Sequence, residues 1–337
     1  MPTIQDVARH ARVSTATVSR VLCHPDVVAP ATRERVLAAV EDLKYQPNHA
    51  AKSLRTLRSD KIVVSVPNIA NPFFSAVIRG VEEAAQAAGY AVLLGDTRDE
   101  PEREDLYAGL LQRREADGLI FLGHRLPAAL DELVRQVGAR APVVNGCEFS
   151  PELGVSSAHI DNHKAAYEAM DLLYGLGHRR IGVITGPMAS PISRNRLAGA
   201  RACAADRGLL EEFMMAVGDF SVESGCKQTK VFMAGPAPPT ALFCFGDEMA
   251  MGALRSTANL GLSCPRDVSI VGFDDIAYAR FTTPALTTIA QPMAEIGRET
   301  VRLLLDVLAG HTVQPVAVTL PHQLVVREST GPAPGRG

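Results

Sequence analysis

The chain has 337 residues, 47% hydrophobic and 21% charged, with a formal net charge of −3, enough material for two or three folding units with a sizeable core. No apolar run approaches the roughly 18 residues of a membrane span, and the polar start Met1-Pro-Thr-Ile-Gln-Asp lacks an export signal's apolar stretch, so no membrane partner and a cytoplasmic location are expected. Six scattered cysteines, with no Cys-x-x-Cys and no histidine at ligand spacing, argue against a disulfide framework and predict no metal site.

Charge is unevenly spread. Residues 1–60 carry nine Lys/Arg against six Asp/Glu, a local +3 that leaves −6 for residues 61–337. A small basic head on an acidic body is the asymmetry of a nucleic-acid-binding appendage.

The head reads as three short helices. Thr3-x-x-Asp6 is a capping-box start, and Ile4, Val7, Ala8 and Ala11 recur at helical spacing. After a short turn at Arg12-Val13, Ser14 caps a second helix with Val18, Val21 and Leu22 on its apolar side. His24-Pro25-Asp26 ends it. Pro30 suits the first position of a third helix, whose expected stripe is Val36, Leu37, Val40 and Leu43. Two helices across so short a turn, with a supporting third, describe a helix-turn-helix. Tyr45-Gln-Pro-Asn48 closes the unit, and the next ten residues are a helix former too short to hold alone in water.

From Lys61 the texture changes to short apolar runs alternating with amphipathic ones. Strands are expected at 62–66, 91–95, 118–122, 142–144, 181–185, 241–245, 269–273 and 287–290. Helices are expected at 73–88, 164–176, 195–207, 248–260 and 294–308. This alternation predicts parallel α/β units, and the series is too long for one sheet of ordinary width, so two lobes with a cleft are expected. The predicted fold class is an all-α helix-turn-helix head followed by an α/β two-lobed, periplasmic-binding-protein-like domain with parallel sheets. The expected boundaries are 1–46 for the head, 47–60 for a hinge, and 61–330 for an effector-binding and dimerisation domain. Within that domain, lobe 1 covers about 61–160 and 292–320, and lobe 2 about 161–291 and 321–330. The Pro/Gly-rich 331–337 reads as a disordered tail.

A second helix of this kind enters the major groove of duplex DNA with its early residues at base edges. Thr15 and Ala16 are short enough to meet bases or thymine methyls, Arg20 can reach guanine as a bidentate donor, and Thr17 and Ser19 suit phosphate oxygens. The capping residues Thr3 and Ser14 join this DNA-facing set. On pattern alone, an ordinary surface helix rich in hydroxyls stays open.

The run Ile4-Gln-Asp-Val-Ala-Arg-His-Ala-Arg-Val-Ser-Thr-Ala-Thr-Val-Ser-Arg-Val-Leu22 resembles the start of the LacI/GalR repressor family. Tyr45-Gln-Pro-Asn48-His-Ala-Ala-Lys-Ser-Leu54-Arg, Asn71-Pro-Phe-Phe, Ile160-Asp-Asn, Leu176-Gly-His-Arg-Arg-Ile-Gly-Val-Ile-Thr-Gly-Pro187, Val271-Gly-Phe-Asp-Asp275 and Leu286-Thr-Thr-Ile-Ala-Gln291 follow in family order. Within the family, residues 143–298 most resemble a nucleoside-responsive member. The resemblance covers nearly the whole chain. It implies a hinge that becomes helical on operator DNA, with Asn48 and Ala51 in it and Leu54 wedged into the minor groove, where unstacking is repaid by a bent site.

It also implies a ligand between the lobes at the carboxyl ends of strands. Phe73 and Phe220 match wall positions, Arg196 the arginine that grips hydroxyls or ring atoms, Asp274 the hydroxyl-accepting aspartate, and Gln291 a lobe-crossing position. Such a set suits a sugar or a nucleoside. The same residues also fit blander roles, Phe73 and Phe220 as core and Arg196 with Asp274 as a structural ion pair. Gly246 stands where sugar-responsive relatives carry a polar side chain, and His124 and Glu148 are further candidates for the cleft. The expected partners are double-stranded operator DNA, a small-molecule effector and a second copy of the chain. No leucine heptads follow Arg327 to build a tetramer. No cofactor is expected, and catalytic motifs are missing: there is no nucleophile elbow, Walker loop or dinucleotide fingerprint. A transport solute-binding protein is the alternative, and it would predict a signal peptide and no basic head.

Overall fold

The computed structural model describes residues 2–45, 58–148 and 151–335, in two compact units, Met1–Ser59 and Asp60–Gly337. Most of the expected hinge, including Asn48, Ala51 and Leu54, lies outside the described residues.

In the first unit α1 (Ile4–Ala11) opens with the expected capping box, Asp6 N donating to Thr3 Oγ1 at 3.4 Å and Thr3 N to Asp6 Oδ2 at 2.9 Å. Arg12 turns left-handed at φ 53° to end it. Ser14 then accepts from Thr17 N at 3.1 Å and starts α2 (Thr15–Cys23). Pro30 is the first residue of α3 (Pro30–Asp42). Val7, Ala8 and Ala11 pack on Val18, Val21, Val36 and Ala39. The third stripe differs from expectation at one position. Leu37 is 47% exposed and Ala39 is buried instead, because positions 36, 39, 40 and 43 share a face of a 3.6-residue helix and position 37 falls beside it.

The second unit holds two six-stranded sheets. The first contains β1 (Lys61–Val66), β2 (Ala91–Asp96), β3 (Gly118–Phe121), β4 (Val143–Gly146), β5 (Ser156–Ile160) and β11 (Ala317–Leu320), in the order β11-β5-β4-β3-β1-β2, all parallel. The second contains β6 (Ile181–Thr185), β7 (Phe213–Val217), β8 (Ala241–Cys244), β9 (Ser269–Asp274), β10 (Thr287–Ala290) and β12 (Gln323–Val325), in the order β12-β10-β9-β8-β6-β7. It departs from a purely parallel sheet at its edge, where β12 runs antiparallel to β10. Leaving aside the edge strands β11 and β12, both sheets have the same doubly wound order, whose switch point lies beside the first strand of each lobe.

Helices pack on both faces: α4 (Pro72–Ala87), α5 (Pro101–Gln112), α6 (Ala128–Val137), α7 (Asn162–Gly175), α8 (Pro191–Asp206), α9 (Val222–Met233), α10 (Asp247–Asn259) and α11 (Met293–Leu308). Three helix pairs meet so closely that only glycine fits at the crossing. A Cβ on Gly199 of α8 would lie 2.0 Å from His163 O of α7, and one on Gly225 of α9 would lie 2.1 Å from Met249 O of α10. The third pair is α4 with α11, where a Cβ on Gly80 would lie 2.0 Å from Ala294 O. The chain passes between the sheets three times, after β5, β10 and β11.

The tail departs from expectation at its start. Ala333 N donates to Leu176 O at 2.9 Å, and Gly331 bonds Ser269 Oγ and buried His178. Two interior polar side chains need partners there, and the backbone of 331–333 supplies them.

Candidate nucleic-acid interface and effector cleft

On α2 the residues divide by face. Val18 and Val21 hold the helix to the core, while Thr15, Ala16 and Arg20 are exposed and Thr17 and Ser19 are half-buried. Two of the predicted hydroxyls already serve the backbone: Ser14 Oγ lies 2.9 Å from Thr17 Oγ1 besides capping the helix, and Thr3 Oγ1 donates to Asp6 Oδ2 at 2.7 Å. Their side chains therefore fix the helix starts, and α2 presents Thr15, Ala16 and Arg20 outward as a set.

In the two-lobed unit, strand ends from both sheets converge. Arg196 projects from α8 and is 2% exposed. Its Nε donates to Asn162 Oδ1 at 2.8 Å, its Nη1 donates to Phe245 O at 2.5 Å, and its guanidinium stacks 3.5 Å from the centroid of the Phe273 ring. Nη2 stands 3.8 Å from Asp274 Oδ1, an ion pair without hydrogen-bond contact. Gln291 Nε2 donates to the same Asp274 oxygen at 2.7 Å. Arg196, Asp274 and Gln291 thus form one buried cluster.

Phe220 joins this cluster across two glycines. Its ring lies against Gly186, where a Cβ would come within 2.0 Å of it. A Cβ on Gly246 would sit 3.4 Å from Phe220 Cδ1 and 3.8 Å from Asp274 Oδ2. The missing side chain at 246 therefore leaves space beside both. Phe73 is buried at the start of α4 with its ring edge-on to Phe74, 5.2 Å between centroids. It is tied to the rest through Asn71, which caps α4 by accepting from Phe73 N at 2.8 Å and donates across the lobes to Glu248 Oε2 at 2.9 Å.

Sequence reasoning passed over part of the site. Asp247 is fully buried at the start of α10, accepting from Ile276 N at 2.8 Å and Thr288 Oγ1 at 2.6 Å. Burial, then Asp274, pushes its carboxyl far above the usual range. Burial also raises Asp274, against the pull of Arg196 and Gln291. Glu148, named only as a candidate, bridges the lobes: it follows β4 and accepts from Ser190 Oγ at 3.1 Å and Ile192 N at 3.3 Å. Burial pushes it up to about 7, with Ser190 and Ile192 pulling the other way. Arg196 is lowered to about 10 by burial despite its acidic neighbours. His124 is lowered, first by burial and then by Arg125.

The backbone is strained at the same place. Cys147, Phe220, Asp274 and Asp275 have φ of 71°, 68°, 115° and 58°, conformations that cost a side-chain-bearing residue about 1–3 kcal/mol and cluster at ligand sites. An open concavity of about 490 Å³ lies elsewhere, along Val222, Cys226 and Lys230 of α9. It is an exposed helix face, and ligand sites bury most of their ligand.

Residues 3–48 match the model described as bacterial regulatory proteins, lacI family, and residues 170–330 match that of a periplasmic binding protein-like domain. The chain is 42% identical to the HTH-type transcriptional repressor CytR of Escherichia coli (strain K12) over 98% of this chain and 97% of that one. It is 34% identical to the repressor PurR of Escherichia coli (strain SMS-3-5 / SECEC), over 100% and 99% of the two chains. Its structure resembles the lac repressor dimer bound to operator and the anti-inducer ONPF, with a TM-score of 0.88, 29% identity, and 98% and 99% of the two chains covered. It also resembles the regulator CelR in complex with cellobiose, at a TM-score of 0.72, 33% identity, and 98% and 100% coverage. Helix-turn-helix head and two-lobed body occur together in these relatives as they do here, and the chain belongs to the LacI family of bacterial regulatory proteins.

Proposed function

We propose that the chain is a sequence-specific DNA-binding transcriptional repressor, working as a homodimer on double-stranded operator DNA and controlled by a small polyhydroxylated effector, a sugar or a nucleoside, bound between its lobes. The observation that carries this is the pairing, in one chain, of an exposed α2 on a packed three-helix head with a buried arginine–carboxylate cluster where two doubly wound sheets meet. Full-length similarity to named repressors supports the same reading. It acts in the cytoplasm on a catabolic or uptake operon and is not an enzyme. A solute-binding role in transport gives the head nothing to do.

The proposed division of labour assigns 1–46 to the groove, 47–60 to the hinge and 61–330 to sensing. Thr15, Ala16 and Arg20 read bases, Thr3, Ser14, Thr17 and Ser19 hold the helix starts and the phosphates, and Asn48, Ala51 and Leu54 act in the hinge. In the cleft Arg196 and Asp274 bind ligand hydroxyls or ring atoms, Gln291 orients Asp274, and Phe73 and Phe220 supply apolar walls. A ligand that prefers one lobe arrangement shifts operator affinity by linkage, as inducer or co-repressor.

The test is a gel-shift assay on DNA upstream of the protein's own gene, run across salt with sugars and nucleosides. Specific binding that weakens steeply with salt, and changes with one of the compounds, is the expected result. Equal affinity for random DNA in every condition refutes it.

A further inference from the structure

Positive charge in the cleft is scarce and already committed. Arg196 faces three carboxyl groups, buried Glu148 and Asp247 and the largely covered Asp274. Arg125 is paired with Glu104 at 2.8 Å, and Arg194 donates to the carbonyls of Met188 and Ala189. Where burial already drives these carboxyl groups toward their protonated forms, another buried anion finds among the described residues a single buried cation, Arg196, which they already share, while Arg194 is exposed.

Helix starts are the other places where an anion could bind, through free N–H groups and the helix dipole. Here they are filled from within. Asn71 caps α4 and Asp161 caps α7 by accepting from Lys164 N at 2.9 Å, while α10 has no side-chain cap but carries Asp247 and Glu248 in its first turn, whose acidic groups oppose a further anion there. At α8 the occupant comes from the other lobe: Glu148 takes Ile192 N and Ser190 Oγ. One turn along α8, on the side of Arg196, Ser193 Oγ is fully buried without a hydrogen-bond partner, and Asn145 Oδ1 at the end of β4 is another such atom. Both can serve a neutral hydroxyl or amide.

We propose that Glu148 is a specificity-determining residue: its carboxyl group fills the anion position at the start of α8, so that the sensor accepts an uncharged hydroxylated ligand and refuses its phosphate ester. This rests on the effector reading above and narrows it to a ligand class. The repressor then responds to a compound before, or after removal of, its phosphate, which places it opposite a kinase or phosphatase reaction on that compound. Shortening Glu148 frees Ile192 N and Ser190 Oγ at the start of the helix that carries Arg196, a set suited to phosphate oxygens.

The experiment uses the full-length protein and the variants Glu148→Ser and Glu148→Gln, the second keeping the side chain's shape. Thermal stabilisation and calorimetry compare ribose, glucose and the four ribonucleosides with ribose 5-phosphate, glucose 6-phosphate and the nucleoside 5′-monophosphates. A second arm uses inorganic phosphate against sodium chloride at matched ionic strength. In the native protein a free compound that binds is expected to bind at least about thirtyfold more tightly than its ester, the effect of one uncompensated charge at short range. That gap shrinks at least fivefold in Glu148→Ser, and inorganic phosphate stabilises this variant but not the native protein. A smaller native gap, or one that stays as wide in both variants, overturns the proposal. If no free compound binds, the effector reading fails, and the proposal is then decided by the phosphate arm: no gain in either variant overturns it.

Discussion

Glu148 makes the stability of the two-lobed unit depend on pH in a direction opposite to ordinary acid denaturation. Its carboxyl is raised from 4.5 to about 7 by burial, so the folded state holds the proton more tightly than the unfolded chain. The associated stability is fully present below the unfolded value and is lost as pH rises through the folded one. At about 1.4 kcal/mol per unit, the shift amounts to about 3 kcal/mol, spent between roughly pH 4.5 and 7. Asp274 and Asp247 act in the same direction.

Two buried histidines and the half-buried His124 act against it in the same window. His124, His159 and His178 are lowered from 6.5, each chiefly by burial, so their contribution is present above that value and lost as pH falls. The native profile alone therefore mixes two signs, and the difference between native protein and Glu148→Gln isolates one. Because the chain has no tryptophan, urea unfolding is followed by circular dichroism at pH 5, 6, 7 and 8. The native-minus-variant stability is expected to fall by about 1 kcal/mol per pH unit up to about pH 7 and then level off. A difference that stays constant from pH 5 to 7 would refute the assignment of a buried, proton-holding Glu148.

Three further outcomes follow from the geometry. Arg196→Ala removes the hydrogen bonds to Asn162 and Phe245 and leaves buried carboxyls unbalanced; a stability loss of about 3–5 kcal/mol and no effector-induced rise in melting temperature are expected, and a retained effector response counts against the site. Gly199→Ala drives a Cβ into His163 O, and since backbone must move, a loss of about 1–3 kcal/mol by denaturant unfolding is expected, where an unchanged midpoint contradicts the packing of α7 on α8. Arg20→Ala, on the exposed face of α2, is expected to cost about 1–3 kcal/mol of discrimination at one operator position, read by competition binding against single-base operator variants; equal losses on every sequence assign Arg20 to phosphate instead.

The sequence was most legible where burial is continuous. Strands such as β1 and β6, covered on both faces, appear as largely apolar runs, and the head's first two helices carry their own side-chain caps. β5 was invisible, because Ser-Ser-Ala-His-Ile reads as polar. In the fold Ser156 Oγ accepts from Val316 N, and His159 lies between Ser157 and Thr319; Val316 and Thr319 are partners that only the second crossing brings near. α5 was passed over because its charges hide a helical stripe, and β7 because it is a half-exposed edge. Among the cleft residues, Arg196, Asp274 and Gln291 were read from family resemblance and not from periodicity. Glu148 and Asp247 owe their character to burial and to partners some 29–44 positions away in sequence, which no local pattern records.

The remaining question is how a contact in the cleft reaches the links between lobes, and two hydrogen bonds answer it. Asn162 begins α7 immediately after the first crossing, and it holds Arg196 through Nε. Gln291 lies on the second crossing, and it holds Asp274 through Oδ1. The two groups expected to grip a ligand are therefore each anchored to a different segment about which the lobes would turn, and Asp274 sits there at φ 115°, in a conformation its surroundings must enforce. On the proposed site assignment, a ligand that draws Arg196 and Asp274 together from 3.8 Å would compete with those anchors and so favour one setting of both crossings over another. Couplings of this kind amount to about 1–3 kcal/mol, or 5–150-fold in affinity, which is enough to move a repressor on or off its operator without any new contact in the head itself.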